Sequence, residues 1–217
     1  MKVPVIINNR DLLTWPKEMV NRIKDYEDLD DIIIIDNGST YEPLLEWYKT
    51  KPCTILSYIE NFGHTGPWDS GVVQRIGAPY YIVTDSDLGL ESVPNNVIPY
   101  LLEKEKSLKL GKVGLGLQWW KVTKQSPYHT HMQIYEIPRW DDSKINEDVA
   151  VNVAIDTTFA LYSRDEYFIG GGSTKMPYMA RHIPWELTND DYEANEEFKY
   201  YIKHASNSSS YKWFLKK

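Results

Sequence analysis

Short apolar runs rich in β-branched residues alternate with segments of helical spacing through the first half of the chain. Val3-Pro4-Val5-Ile6-Ile7 predicts a first strand, which ends at the polar run Asn8-Asn9-Arg10-Asp11. Pro16 suits the first turn of a helix, where a missing N–H costs nothing, and Met19, Val20 and Ile23 follow at helical spacing. Ile32-Ile33-Ile34-Ile35 is unbroken, the pattern of a parallel strand covered on both faces. It ends at the turn signal Asp36-Asn37-Gly38-Ser39-Thr40, and a helix through Leu44, Leu45 and Tyr48 follows. A third strand at about 54–59 runs into Glu60-Asn61-Phe62-Gly63-His64, and a helix is expected from about 67 to 77. Tyr80-Tyr81-Ile82-Val83 then predicts a fourth strand, residues near 95–109 a helix, and Lys112 to Leu117 a fifth strand.

After residue 118 this rhythm breaks. Residues 118–150 hold Pro127, Pro138, several aromatics and an acidic stretch without a clear period. Ile155 to Tyr162 predicts a late strand, Gly170-Gly171-Gly172 a flexible turn, and residues from about 190 to 205 a helix behind the start signal Asn189-Asp190-Asp191. His129 and His131 would share a face if they lay on a strand, with no third ligand at metal spacing. Strands alternating with helices indicate an α/β fold, with a mainly parallel sheet, flanking helices and right-handed crossovers. The expected organisation is one domain, 1–217, with a regular half (1–117) and a decorated half (118–217).

Composition narrows the function. The 24 basic residues against 31 acidic ones give a net charge of −7, with no basic cluster. That balance disfavours nucleic acid as a partner. Any bound phosphate must be met by a local metal or by backbone N–H groups. The lone cysteine, Cys53, excludes an internal disulfide and a multi-cysteine zinc site, and its apolar neighbours suggest a buried structural thiol. The opening residues lack a charged-then-apolar leader, and no apolar run approaches the ~20 residues of a membrane span. The expectation is a soluble, cytoplasmic chain or a soluble domain of a larger protein. Trp119, Trp120, Tyr128, Tyr135, Trp140, Tyr178 and Trp185 crowd the second half, where rings suit core packing or a sugar face.

Thr84-Asp85-Ser86-Asp87 closes the fourth strand. Two carboxylates one residue apart make a hard-oxygen site for Mg²⁺ or Mn²⁺, completed by substrate phosphates and water. Strand ends in open α/β sheets are where ligands bind. The alternative is an Asp-rich turn held by local hydrogen bonds.

Val3–Ile7, the Asp36-Asn37-Gly38-Ser39-Thr40 turn, Asn61-Phe62-Gly63 and Asp85-Ser86-Asp87 stand in an order and spacing that resemble the GT-A nucleotide-sugar glycosyltransferases, especially the family 2 type. The compact size and Arg181-His182-Ile183-Pro184-Trp185 also resemble the small glycosyltransferase domains of large algal viruses. The resemblance implies a GT-A fold and a metal-dependent transferase that moves a sugar, with inversion, from a UDP-sugar to a glycan or glycoprotein hydroxyl. It implies that Asp36 accepts hydrogen bonds from the base or ribose. Ile7, Asn8, Asn9 and Arg10 would form the loop under the nucleotide, although the family's usual Pro-Thr-Tyr-Asn is absent. Asn61, Gly63 and His64 would line the ribose or diphosphate. Asp85 and Ser86 would meet the donor, Asp85 and Asp87 the Mn²⁺ or Mg²⁺. His182 is either a further metal ligand or a packed ring beside Pro184 and Trp185, and Arg181 would meet the diphosphate. The family's Glu-Asp pair is missing after the glycines, so Asp156 is favoured as general base, with Glu186 as competitor.

Two other classes fit parts of this pattern. One is an aspartyl-phosphate phosphatase, whose nucleophile loop normally follows the first core strand, not the fourth. The other is a non-catalytic carbohydrate- or nucleotide-binding domain that uses the aromatics.

Overall fold

Strands β1 (Val3–Asn9), β2 (Leu29–Asn37), β3 (Thr54–Tyr58) and β4 (Tyr80–Asp85) form a parallel block in the order β3-β2-β1-β4. The computed structural model describes residues 1–164 and 170–205. The unbroken apolar runs of β1, β2 and β4 are covered on both faces, and Ile6, Ile7, Ile34, Ile35, Ile82 and Val83 are all fully buried. Between these strands run α1 (Thr14–Ile23), α2 (Glu42–Lys49) and two short helices, α3 (Gly66–Asp69) and α4 (Val72–Ile76). The single helix expected at 67–77 is therefore split. Gly71 adopts φ 74° between the two pieces, a left-handed conformation natural to glycine.

Beyond β4 the sheet becomes mixed, through β5 (Leu88–Gly89), α5 (Val97–Leu108), β6 (Lys112–Leu117), a single helical turn α6 (His129–His131), β7 (Ile145–Asn146), β8 (Val149–Val153), β9 (Ala160–Ser163) and β10 (Gly171–His182). The full order is β3-β2-β1-β4-β9-β6-β10-β8-β7, with β5 paired to β10. Strand β9 is wedged antiparallel between β4 and β6, so only part of the sheet keeps the expected parallel sense. The expected strand Ile155–Tyr162 shrinks to β9, because residues 154–159 leave the ladder to carry a loop along the cavity described below. His129 and His131 lie in a helical turn and not on a strand. The glycines at 170–172 do not form a flexible turn. Gly171 and Gly172 open β10, and a Cβ on Gly172 would stand 2.5 Å from Leu110 and 2.7 Å from Val149, so they allow close strand packing.

The chain ends, as far as it is described, in α7 (Ile183–Glu186), α8 (Asn189–Ala194) and α9 (Glu196–His204). The tail expected as one helix is two, each with its own cap. Thr188 and Asp191 form a capping box at α8, and the Asn195 side chain accepts the Phe198 N–H at α9. Leu12, Trp15, Tyr128, Met132, Tyr192, Phe198 and Ile202 form a separate apolar cluster that seats α9 beside the start of α1. Cys53 is partly buried against the main core, and burial raises its thiol to about 11, as suits an inert structural cysteine. No helix among the described residues is long and apolar enough to cross a membrane.

Candidate donor and metal site

Register decides which side chains meet. Asn8 of β1 pairs with Asp85 of β4, and Asn9 with Asp36 of β2, so the polar residues ending these strands form one edge. A cavity of about 310 Å³ opens there, lined by Asn8, Asn9, Arg10, Asn37, Asn61, Gly63, His64, Asp85, Ser86, Asp87, Asp156 and His182, with Leu12, Trp185, Tyr201 and Ala205 at its sides. Most residues named from the sequence thus come together, from segments up to about 175 positions apart.

On one wall, side-chain amides hold the glycine loop. Asn8 donates to the Gly63 carbonyl at 3.1 Å, and Asn37 donates to Asn8 Oδ1 at 2.5 Å. Asn61 Oδ1 accepts the Gly63 N–H at 2.8 Å. Gly66 passes so close that a Cβ would stand 3.0 Å from Asn8 Oδ1 and 3.1 Å from the Asn37 amide. Asn37 was not singled out from the sequence. Its signal was adjacency to Asp36 in the turn, and it is Asn37 that reaches the cavity. Asp36 lies buried beside it, accepting from the Ser39 hydroxyl. Burial raises the Asp36 carboxyl above its ordinary range, partly offset by Ser39.

On the opposite wall three carboxylates converge. Asp85 Oδ2 accepts the Thr157 hydroxyl at 2.6 Å, while the Asp85 N–H donates to the Thr157 carbonyl at 3.0 Å. These two bonds fasten the 154–159 loop to the end of β4 and bring Asp156 beside Asp85. Asp156 is exposed at the cavity, and its Oδ1 accepts the Thr157 N–H at 2.8 Å. Asp87 is 4% exposed. Burial, then the like charges of Asp156 and Asp87, push the Asp85 carboxyl well above the usual carboxylate range. Beneath them Lys112 is buried, and its ammonium is lowered by burial to about 8 against the opposing pull of Asp156 and Asp85.

The β5–β10 pairing supplies the remaining wall. His182 lies opposite Leu88, and the Ile183 N–H donates to the Asp87 carbonyl at 3.1 Å, which sets the imidazole next to Asp87. Burial lowers the His182 pKa, with Asp87 and Asp156 opposing. Its ring stacks on Trp185 at 4.1 Å, and Tyr128 lies nearly parallel to Trp185 at 6.2 Å. Trp185 therefore positions His182 and is not an open platform for a sugar face.

Four expected residues, Ile7, Asp36, Arg181 and Glu186, lie outside the cavity lining. Ile7 is fully buried in the main core, one residue short of the polar strand end, Asn8-Asn9-Arg10, that lines the cavity. Arg181 alternates with His182 along β10, where successive residues face opposite sides. Its Nε and Nη2 hold Glu186 at 2.9 and 2.6 Å, and Nη1 holds Glu91 at 2.5 Å. That ion-pair cluster commits Arg181 away from a diphosphate and Glu186 away from an acceptor proton.

Among the described residues no set of three or more His, Cys, Asp or Glu side chains is arranged to hold a metal by itself. The donor set still fits a hard divalent cation. Magnesium usually takes one or two protein carboxylates and keeps substrate phosphates and water for the rest. Burial, and after it the like charges of Asp156 and Asp87, push Asp85 upward, and a bound cation would offset both.

No protein-family model matches the chain, and no curated protein matches it in sequence. Solved structures share its fold. S. aureus TarS is similar with a TM-score of 0.54 at 13% identity, over 98% of this chain and 41% of that one. The 1–349 portion of S. aureus TarS in complex with UDP gives 0.53 at 13% identity, over 98% of this chain and 68% of that chain. Glucosyl-3-phosphoglycerate synthase from Mycobacterium tuberculosis, in complex with Mn²⁺, UDP and glucosyl-3-phosphoglycerate, gives 0.50 at 14% identity, over 76% of this chain and 57% of that one. The chain thus spans 41% of TarS and 57% of the synthase. The fold is the GT-A arrangement, a mixed sheet with a parallel block flanked by helices.

Proposed function

We propose that this chain is a glycosyltransferase that takes a sugar from a nucleotide-diphosphate donor, a UDP-sugar, and transfers it with inversion to a hydroxyl of a glycan or glycoprotein. The observation that carries this reading is the convergence of Asp85, Asp87 and Asp156 on a cavity at the carboxyl edge of the parallel strands. Proteins of the same fold hold UDP, and one holds Mn²⁺ as well.

In this reading Asp85 and Asp87 hold Mn²⁺ or Mg²⁺, with His182 beside them. A cation held there would supply positive charge that stabilises the negative charge developing on the leaving diphosphate. The amides of Asn8 and Asn37, with the Gly63 loop, receive the nucleoside side of the donor. Asp156, exposed at the rim and fixed by Thr157, takes the proton of the acceptor hydroxyl as its oxygen attacks the anomeric carbon. One C–O bond forms on the face opposite the one that breaks. Glu186, engaged by Arg181, leaves Asp156 as the carboxylate for that task.

The test is Asp87→Ala, with UDP binding measured by calorimetry in the presence and absence of Mn²⁺. The variant should fold and lose the Mn²⁺-dependent part of its UDP affinity. Equal Mn²⁺-dependent affinity in the folded variant would sink the assignment. Sugar binding indifferent to both metal and nucleotide would instead support a non-catalytic carbohydrate-binding domain.

A further inference from the structure

Lys112 opens β6 and is 1% exposed, unusual for a lysine. Its Nζ donates to the Ile155 carbonyl at 2.9 Å and stands 4.8 Å from the centroid of the Tyr162 ring. A hydrogen bond on one side and a ring face on the other suit an ammonium. Both neighbours lead to the acidic cluster. Ile155 immediately precedes Asp156, and Tyr162 of β9 stacks at 5.4 Å on Tyr81, in the same strand as Asp85. The carboxylates whose charge reaches Lys112 are Asp156 and then Asp85, and Lys112 in turn opposes the upward push on Asp85. Arg10, which lines the cavity, faces Asp11 at 3.5 Å, and Arg139, the other base whose charge reaches Lys112, pairs with Glu136 at 3.0 Å.

Three carboxylates gathered at one wall repel one another wherever water screens them poorly. A charge fixed behind them offsets that repulsion from the protein side. It also acts on any cation arriving from the cavity side, and there the sign is unfavourable.

We propose that Lys112 is a positioning residue, the resident counter-charge of the acidic cluster, which keeps Asp85 and Asp156 assembled without a bound cation and weakens the hold on one that enters. The inference rests on the metal reading above. It makes a prediction of opposite sign to a packing role. If Lys112 only packs, replacing it disturbs the Asp156 loop and weakens cation binding. If its charge matters, neutralising it tightens cation binding.

The experiment compares wild type, Lys112→Gln and Lys112→Arg, titrating Mn²⁺ by electron paramagnetic resonance at pH 7 with and without UDP. Glutamine keeps an N–H donor for Ile155 and removes the charge, whereas arginine keeps the charge. The expected result is Mn²⁺ binding on the order of tenfold tighter in Lys112→Gln and little changed in Lys112→Arg. A folded Lys112→Gln that binds Mn²⁺ no more tightly than wild type overturns the inference and leaves the metal site standing. A wild type that binds no Mn²⁺ under either condition overturns the metal site and the inference together. If Lys112→Gln is unfolded in chelator, recovery of its circular dichroism and thermal transition on adding Mn²⁺ supports the inference, because the cation replaces the missing charge. Failure of Mn²⁺ to restore them overturns it.

Discussion

Asp36, which the family resemblance assigns to the donor nucleoside, shows how a buried carboxyl can oppose stability. Its carboxyl is buried, and burial raises its pKa despite the Ser39 hydrogen bond. A carboxyl raised on folding binds its proton more tightly in the folded state. Its favourable contribution is therefore complete below the unfolded value near ~4, and is lost as pH rises through the higher folded value. Asp36→Asn should accordingly melt above wild type at pH 7, with the gap closing near pH ~3.5, and should bind the donor nucleoside less well. Thermal melts across that pH range check the sign. A variant less stable at pH 7 would mean that the Ser39 bond outweighs burial. Asp156 makes a different demand. Asp156→Asn retains a group able to accept the Thr157 N–H, so UDP binding should survive while transfer falls by roughly 10²–10⁴ in a turnover assay. Near-normal turnover would remove Asp156 as the base.

At the scale of elements, the first and last described helices depend on each other. Helix α1 begins at Thr14, and its N-cap residue, Leu13, has no side chain that can cap it. Glu197 of α9 supplies the cap, with Oε1 accepting the Leu13 and Thr14 N–H groups at 2.7 and 2.9 Å and Oε2 accepting the Thr14 hydroxyl at 2.7 Å. A carboxylate at a helix N-terminus also meets the favourable end of its dipole. The same contact seats α9, which brings Tyr201 and Ala205 to the cavity. Glu197→Ala should cost about 1–2 kcal/mol in urea unfolding, and should also weaken UDP binding although residue 197 does not line the cavity. Stability lost with no change in UDP affinity would show that α9 keeps its seat through its apolar cluster alone.

The whole molecule carries a net charge of −7, and the proposed ligand is an anion. The global field opposes binding, so affinity must come from the local cation and amides. UDP at about a hundred times its dissociation constant stabilises a fold by ~2.7 kcal/mol. For a domain of this size that corresponds to a rise in Tm of roughly 5–10 °C. Melts with UDP and Mn²⁺ should show that rise, and melts with UDP in chelator should lose most of it. Equal shifts in both would contradict a cation-bridged diphosphate. The parallel block and its turn motifs were legible in the sequence because each is local. An apolar run ending at a polar turn marks a strand edge without help from elsewhere, as at Ile35-Asp36 and Val83-Thr84-Asp85. What was not legible was the company each residue keeps. Arg181 and Glu186 looked equally available for chemistry until strand alternation turned Arg181 outward and paired the two.

Strands β1 to β4, their polar carboxyl ends and the Asp85-Ser86-Asp87 carboxylate pair are readable from local pattern, because periodicity and turn chemistry act over a few residues. It takes the folded sheet to bring Asp156 to that pair, to turn His182 and not Arg181 toward it, to carry Asn37 to the cavity beside a buried Asp36, and to set Lys112 beneath. Those outcomes follow from register and from the wedged strand β9, which join segments far apart in the chain through contacts that no local pattern encodes.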